Sequence, residues 1–224
     1  DISDKEFDKK VSRTKNRPIA SNKVSIKLAI FYTIVLCSLA FLVLINFNNL
    51  TIILALCSMP LAFTYPLMKR FTYWPQLFLG ITFNYGLILG WTSVADQISI
   101  IPIVFYLGAI FWTLGYDTIY GFQDIKDDEI IGIKSTSIKF KNNPKSFLLL
   151  CYLIFISSIV YTGLLMKFNY IFYSFLPIML IFFLFFQIYK LDFKNPRNCL
   201  EAFRNNNLVG FAILINLILG KVII

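Results

Sequence analysis

Long continuous runs of apolar residues, separated by short polar segments, dominate the chain and do not alternate at every second position. A bilayer-crossing helix needs about 20 consecutive apolar residues, and windows of that kind predict seven helices near 25–46, 50–67, 75–95, 98–119, 146–166, 169–190 and 206–223. A membrane β-barrel would show period-two alternation instead. Pro60, Pro66, Pro102 and Pro177 fall inside these windows, but in a membrane bundle neighbouring helices satisfy the carbonyls that a proline frees. The fold class expected is therefore all-α, a polytopic transmembrane helical bundle.

Composition strengthens this. Of the 224 residues 58% are hydrophobic and only 15% charged, with a mean hydropathy of +0.70, outside the range of soluble domains. The net charge of +9 is explained by topology. Seven spans put their connections alternately on two sides, and all Lys and Arg except Lys167 and Lys221 fall on one of them, which the positive-inside rule makes the cytoplasm or the mitochondrial matrix. No aromatic-basic interleaving or recognition module points to nucleic acid. With no histidine at all, imidazole acid–base work and His-ligated metals are excluded, so chemistry falls to carboxylates, Lys, Arg, Tyr and a hard metal ion. The four cysteines lack CxxC spacing and read as packing residues.

Nine of the 12 acidic residues form two groups, 1–8 and 117–129, both on the basic side. Asp1, Asp4 and Asp8 stand at i, i+3 and i+7, one stripe of a helix. Asp117 and Asp124 are seven apart and Asp128 follows four later. Like charges at such spacings destabilise a helix unless neutralised. Mg²⁺ suits the task, because it is usually shared between one or two carboxylates and substrate phosphates. Arg13, Arg17, Lys134, and Tyr65 with Lys69 lie close in sequence to these groups or to the same membrane face, and suit a diphosphate. The plain alternative is a solvated loop with internal ion pairs, which predicts neutral substitution at Asp4, Asp8, Asp124 and Asp128. The metal reading requires Asp4 and Asp124 to face one cavity.

The stretch DISDKEFDKKVSRTKNRPIAS (1–21) resembles the first signature of the UbiA prenyltransferase superfamily, NDxxDxxxD followed by RTxxRP, without the leading Asn. YDTIYGFQDIKDDEIIGIKSTS (116–137) resembles the second, YDxxYxxxDxxDD followed by GxKST. FTYPLMKRFTYWPQLFLGITFNYGLILGW (63–91) is similar to the family's middle helices, and the wording is nearest to the 4-hydroxybenzoate branch. The resemblance implies a nine-helix fold, of which about seven helices are present in a single membrane-embedded domain, 1–224, lacking two N-terminal helices. It implies Mg²⁺ on Asp1, Asp4 and Asp8 and on Asp117, Asp124 and Asp128, with Asp4, Asp8, Asp124 and Asp128 catalytic. Arg13, Arg17, Tyr65, Lys69, Tyr120 and Lys134 would hold polyprenyl diphosphate while 4-hydroxybenzoate is prenylated ortho to its hydroxyl, a step of ubiquinone biosynthesis; Asp124 is the preferred base for the ring proton.

The chain opens at Asp1, without a Met or a cleavable targeting signal, so upstream sequence is expected to be missing. The expected location is a bacterial inner membrane with the acidic motifs on the cytoplasmic side, or the mitochondrial inner membrane with them on the matrix side. Other acceptors, such as haem or a menaquinone precursor, are the nearest alternative. A cation-coupled transporter would want carboxylates near mid-membrane in several helices, and a CDP-alcohol-type transferase would pack its aspartates with Gly and Arg in one contiguous motif; neither pattern is present.

Overall fold

A computed structural model of the chain describes residues 2–11 and 14–222, so Asp1 and Arg13 lie outside the described residues. Within these, seven helices are long and apolar enough to cross a membrane: Ile26–Leu44, Asn49–Phe71, Pro75–Ala95, Ile100–Gly121, Pro144–Met166, Tyr170–Tyr189 and Pro196–Lys221. The first is α2 (Ile26–Leu44), after a short α1 (Lys5–Asp8). The second joins α3 (Asn49–Thr64) to α4 (Met68–Phe71) through a tight 3₁₀ turn at Tyr65–Leu67, where Pro66 removes a helix donor.

The third span is two helices, α5 (Pro75–Phe83) and α6 (Gly86–Ala95), broken at Asn84 and Tyr85. The Asn84 side-chain amide donates to the carbonyls of Gly80 (2.9 Å) and Ala109 (3.2 Å) and to Thr113 Oγ1 (2.7 Å). The Tyr106 hydroxyl donates to the Ile81 carbonyl at 2.7 Å. Side chains thus supply the partners that an interrupted helix needs where water is scarce.

α7 (Ile100–Gly121) is the central helix, packing on α5, α6, α10 (Pro144–Met166) and α12 (Pro196–Val222). Its crossing with α10 is close at Gly115, where a Cβ would stand 2.8 Å from Tyr152 Cε1; small residues permit such approaches between membrane helices. Pro102 sits in the first turn of α7, where no donor is needed, and leaves the helix continuous. Between α7 and α10 lie α8 (Ile125–Ile131) and α9 (Thr136–Lys139), and α11 (Tyr170–Phe182) continues into a π-helical turn at Phe183–Tyr189.

Starts follow local chemistry. Ser25, Asn48, Ser99 and Asn169 cap α2, α3, α7 and α11 by accepting backbone N–H groups. The last span differs most from expectation: α12 begins at Pro196, ten residues before the predicted 206. Pro196 occupies the first helical position and Asn195 Oδ1 accepts from the amides of Arg197 (3.0 Å) and Asn198 (3.4 Å), so capping extends the helix through polar residues that the apolar window passed over. Cys151 and Cys199 are buried, as packing requires, whereas Cys37 and Cys57 are exposed on outward faces.

The core centres on Tyr152, Phe155, Phe172 and Phe183, all 0% exposed. Within it a polar chain links four segments: the Tyr152 hydroxyl donates to Gln187 Oε1, Gln187 Nε2 donates to Asn206 Oδ1 (3.1 Å), and Trp112 Nε1 donates to the same oxygen (2.9 Å). Gln187 is carried by the π-helical turn, whose wider backbone hydrogen bond runs from Lys190 N–H to the Phe185 carbonyl (2.8 Å). Replacing Asn206 with Leu strands two buried donors. The expected cost is about 1 kcal/mol, read as a lower melting temperature of the detergent-solubilised protein, with Asn206→Asp, which keeps an acceptor oxygen, melting closer to wild type.

Candidate active site

At one end of the bundle, a cavity of ≈ 320 Å³ is lined by Asp4, Arg17, Tyr65, Lys69, Asp117, Asp128 and Lys134, together with Gln76 and Ser135. Four parts of the chain meet here: the segment before α2, the end of the second span, the start of the third, and the end of the fourth with its following loop.

The N-terminal segment is held by charge. Asp4 Oδ2 pairs with Lys69 Nζ at 2.7 Å, and Asp4 Oδ1 stands 3.8 Å from Arg70. Arg70 also donates to the Ser3 carbonyl and lies over the Phe7 ring, 5.1 Å from its centroid. Asp8 points the other way. It is buried, 6% exposed, and accepts from Arg17 Nη1 at 3.1 and 3.3 Å, so it fixes the arginine that reaches the cavity. The expected Asp4/Asp8 stripe is therefore divided between cavity and support, because α1 is a single turn and the chain then folds back through turns to Arg17.

The second cluster also divides. α7 ends at Gly121, and a turn separates it from Asp124, the residue before α8. That turn breaks the helical register assumed between Asp117 and Asp124. Asp117 and Asp128 line the cavity with Asp4, whereas Asp124 lines a neighbouring cavity with Asp127, Lys141 and Lys145. The expectation that Asp4 and Asp124 face one cavity does not hold; Asp4, Asp117 and Asp128 are the carboxylates brought together. Tyr120 stands one turn beyond Asp117 with its ring 4.5 Å from that of Phe203.

The loop carrying Lys134 is clamped from several sides. Gly132 closes α8 at φ +81°, a left-handed conformation that other residues adopt at a cost, and Ile133 N–H donates back to the Asp128 carbonyl at 3.0 Å. Lys134 N–H then donates to the Lys69 carbonyl at 2.9 Å, and its Nζ to the Phe71 carbonyl at 3.2 Å. Thr136 N–H donates to Gln76 Oε1 (3.0 Å), Thr136 and Thr118 share a hydroxyl hydrogen bond (2.6 Å), and Ser137 donates to the Thr118 carbonyl (2.7 Å). Gln76, Ser135 and Arg70 are site residues that the sequence reading passed over. Arg70 was counted only as a topology charge, and Gln76 carries just one signal, a polar side chain in the first turn of an apolar span.

Among the described residues, no three carboxylates or cysteines stand close enough to hold a metal ion unaided. The donor set nevertheless suits Mg²⁺, which takes one or two carboxylates and completes its shell with phosphate oxygens and water. Asp4 Oδ1 is buried without a hydrogen-bond partner among the described residues, an acceptor available to such an ion.

Two outcomes test this construction. Arg17→Met removes the guanidinium that pairs with buried Asp8, and residues 2–11 should become sensitive to limited proteolysis while the spanning helices stay protected. Gly132→Val places a β-branched residue at positive φ, and should cost about 1–2 kcal/mol locally, read as faster amide exchange in residues 125–137 than in α7.

The comparisons with known proteins agree with the geometry. Residues 1–214 match the model of the UbiA prenyltransferase family. The chain is 39% identical over 224 residues to a protein of Bos taurus named 4-hydroxybenzoate polyprenyltransferase, mitochondrial, covering 99% of this chain and 60% of that one. It is 39% identical over 227 residues to 4-hydroxybenzoate geranyltransferase 1 of Lithospermum erythrorhizon, covering 99% and 72%. It thus spans about half to three-quarters of the length of these curated relatives. Among solved structures, a UbiA homologue from Aeropyrum pernix K1 superposes with a TM-score of 0.81 at 20% identity, covering 97% of this chain and 81% of that one. A digeranylgeranylglyceryl phosphate synthase gives 0.71 at 18%, covering 99% and 78%; at these identities both support the fold alone. With its seven membrane-spanning helices, its two acidic signatures and a match over nearly its whole length, the chain belongs to the UbiA prenyltransferase family.

Proposed function

We propose that this chain is the greater part of a Mg²⁺-dependent enzyme that transfers a polyprenyl group from its diphosphate to 4-hydroxybenzoate, at the ring carbon ortho to the hydroxyl. The observation that carries this reading is the meeting of Asp4, Asp117 and Asp128 with Arg17, Lys69 and Lys134 around one cavity at one end of an apolar bundle. The acceptor assignment is supported by the names of the curated relatives. Residues 1–224 are read as a single membrane-embedded domain, with the acidic mouth on the cytoplasmic side of a bacterial inner membrane or, as the mitochondrial relatives favour, on the matrix side.

In this reading Arg17, Lys69 and Lys134 hold the diphosphate oxygens, arginine through two parallel donors and the lysines as point charges. The Tyr65 hydroxyl adds a further donor; by the motif, Arg13 is assigned to the diphosphate and Asp1 to Mg²⁺. Asp4, Asp117 and Asp128 would hold Mg²⁺, which when bound neutralises charge gathering on the departing diphosphate. The donor's C1–O bond breaks with its electron pair leaving on the diphosphate, and the electron-rich ring carbon attacks C1. The ring proton passes to a carboxylate of the second cluster, of which Asp117 and Asp128 border the cavity. Asp8 and Asp124 act from behind, Asp8 by fixing Arg17 and Asp124 by accepting the Asp128 amide into its carbonyl at the start of α8 (2.9 Å). Tyr120 borders the aromatic wall with Phe203. The prenyl tail lies among apolar helices or passes into the bilayer.

The transporter alternative has less support, since the carboxylates gather at one end of the bundle. The test supplies labelled polyprenyl diphosphate and 4-hydroxybenzoate to membranes containing the complete protein, with and without Mg²⁺. Prenylated 4-hydroxybenzoate should form only with the metal. Asp4→Ala and Asp128→Ala should each lower turnover at least about 100-fold with folding retained, and Asp124→Ala should lower it less. Wild-type rates in the first two variants would remove the assignment.

A further inference from the structure

The side-chain amide of Gln76, in the first turn of α5, has one end occupied and the other free. Gln76 is 6% exposed and lines the charged mouth together with Lys69 and Lys134. Its Oε1 accepts the Thr136 N–H at 3.0 Å. A backbone N–H can only donate, so this contact settles which end of the amide is the oxygen and leaves the NH₂ group on the other side. Nε2 stands beside the end of α7, where a Cβ on Gly121 would come within 3.5 Å of it. Gly121 follows Asp117 by four residues, so the two share a face of that helix.

Among the described residues, Nε2 of Gln76 donates to nothing. Other amides inside the bundle do find oxygens: Asn84 donates to Thr113 Oγ1, Gln187 to Asn206 Oδ1, and Asn206 to the Ala202 carbonyl. Leaving a donor unpaired at such burial is costly, and few are left so.

We infer that Gln76 Nε2 donates to a phosphate oxygen of the bound diphosphate, as an uncharged companion to Lys69 and Lys134. The inference rests on the proposed prenyl transfer and adds a substrate contact to it. With its oxygen committed to Thr136, Gln76 offers nothing to a metal ion and requires an acceptor. The loop at 134–136 is fastened at both ends, Lys134 N–H to the Lys69 carbonyl at 2.9 Å and Thr136 N–H to Gln76. The amide therefore belongs to the same frame as the two lysines that face the anion. Lys69 pairs with Asp4 at 2.7 Å, whereas a neutral donor needs no carboxylate to balance it. Held by Thr136, it also loses little freedom when the phosphate arrives.

The experiment compares the complete wild-type protein with three variants. Gln76→Glu still accepts from Thr136 but presents no amide donor, Gln76→Lys donates but cannot accept, and Gln76→Met does neither. Steady-state kinetics with polyprenyl diphosphate and 4-hydroxybenzoate are read beside calorimetric binding of inorganic diphosphate with Mg²⁺. Gln76→Glu and Gln76→Met should each lower kcat/KM for the prenyl donor, and weaken inorganic diphosphate, at least about tenfold. KM for 4-hydroxybenzoate should stay at its wild-type value, and Gln76→Lys should recover most of the loss. If Gln76 only braces the loop, the order reverses, with Gln76→Glu near wild type and Gln76→Lys as poor as Gln76→Met, and the inference is overturned. Unchanged diphosphate binding in all three variants, or a loss confined to KM for 4-hydroxybenzoate, would overturn it as well. Should the melting temperature show that Gln76→Glu does not fold, the other two decide: tighter diphosphate binding by Gln76→Lys than by Gln76→Met supports the contact, and equal binding overturns it. A wild-type protein that binds inorganic diphosphate yet forms no prenylated product would overturn the proposed function instead, and the variants' diphosphate affinities would still decide the contact.

Discussion

A carboxylate at the edge of a bilayer has to be neutralised by something, and this requirement organises the acidic end of the bundle. Asp4 answers it with Lys69 and stands within reach of Arg70, and Asp8 with Arg17. These pairs do more than balance charge, because each joins segments that the chain keeps apart. The Asp4–Lys69 contact fastens the segment before the first span to the end of the second, and Lys134 fastens the loop after the fourth span to the same turn. An ion pair near a surface is ordinarily worth little; here its value lies in fixing three loops against one another, so that side chains remote in sequence share a cavity.

Beneath this polar end the packing is of another kind. Aromatic side chains fill the space between α7, α10, α11 and α12, and Trp112, Gln187, Tyr152 and Asn206 satisfy one another inside it. Hydrophobicity gives membrane helices no preference for one another over lipid, so contact geometry and buried hydrogen bonds decide which faces meet. The broken third span belongs to the same logic, with Asn84 and Tyr106 supplying the partners that the interrupted backbone lacks.

How much of this was legible in the sequence depends on the range of the interaction. Span number and position follow from apolar run length, a local property, and all seven were readable. The early start of α12 was not, because Pro196 and the Asn195 cap act on backbone groups that a hydropathy window ignores. At the site, residue types were readable from the motifs, and Asp4, Arg17, Tyr65, Lys69, Asp117, Asp128 and Lys134 do gather. The pairing of carboxylates was misjudged at Asp8 and Asp124, since helical spacing was extended across a one-turn helix and across the turn after Gly121. Gln76 and Ser135 were invisible for a related reason: their roles arise only when the loop after α8 folds onto α5 and α7, a contact between segments some sixty residues apart.

Helix α2 stands apart from all of this, since none of its residues is buried against the rest of the described chain. Within that chain, α2 is joined to the bundle through its two ends rather than through a buried face. Because α2 follows directly on the segment that bears Asp4 and Arg17, the ion pairs of Asp4 with Lys69 and of Arg17 with Asp8 are what hold the start of the first span against the rest of the bundle.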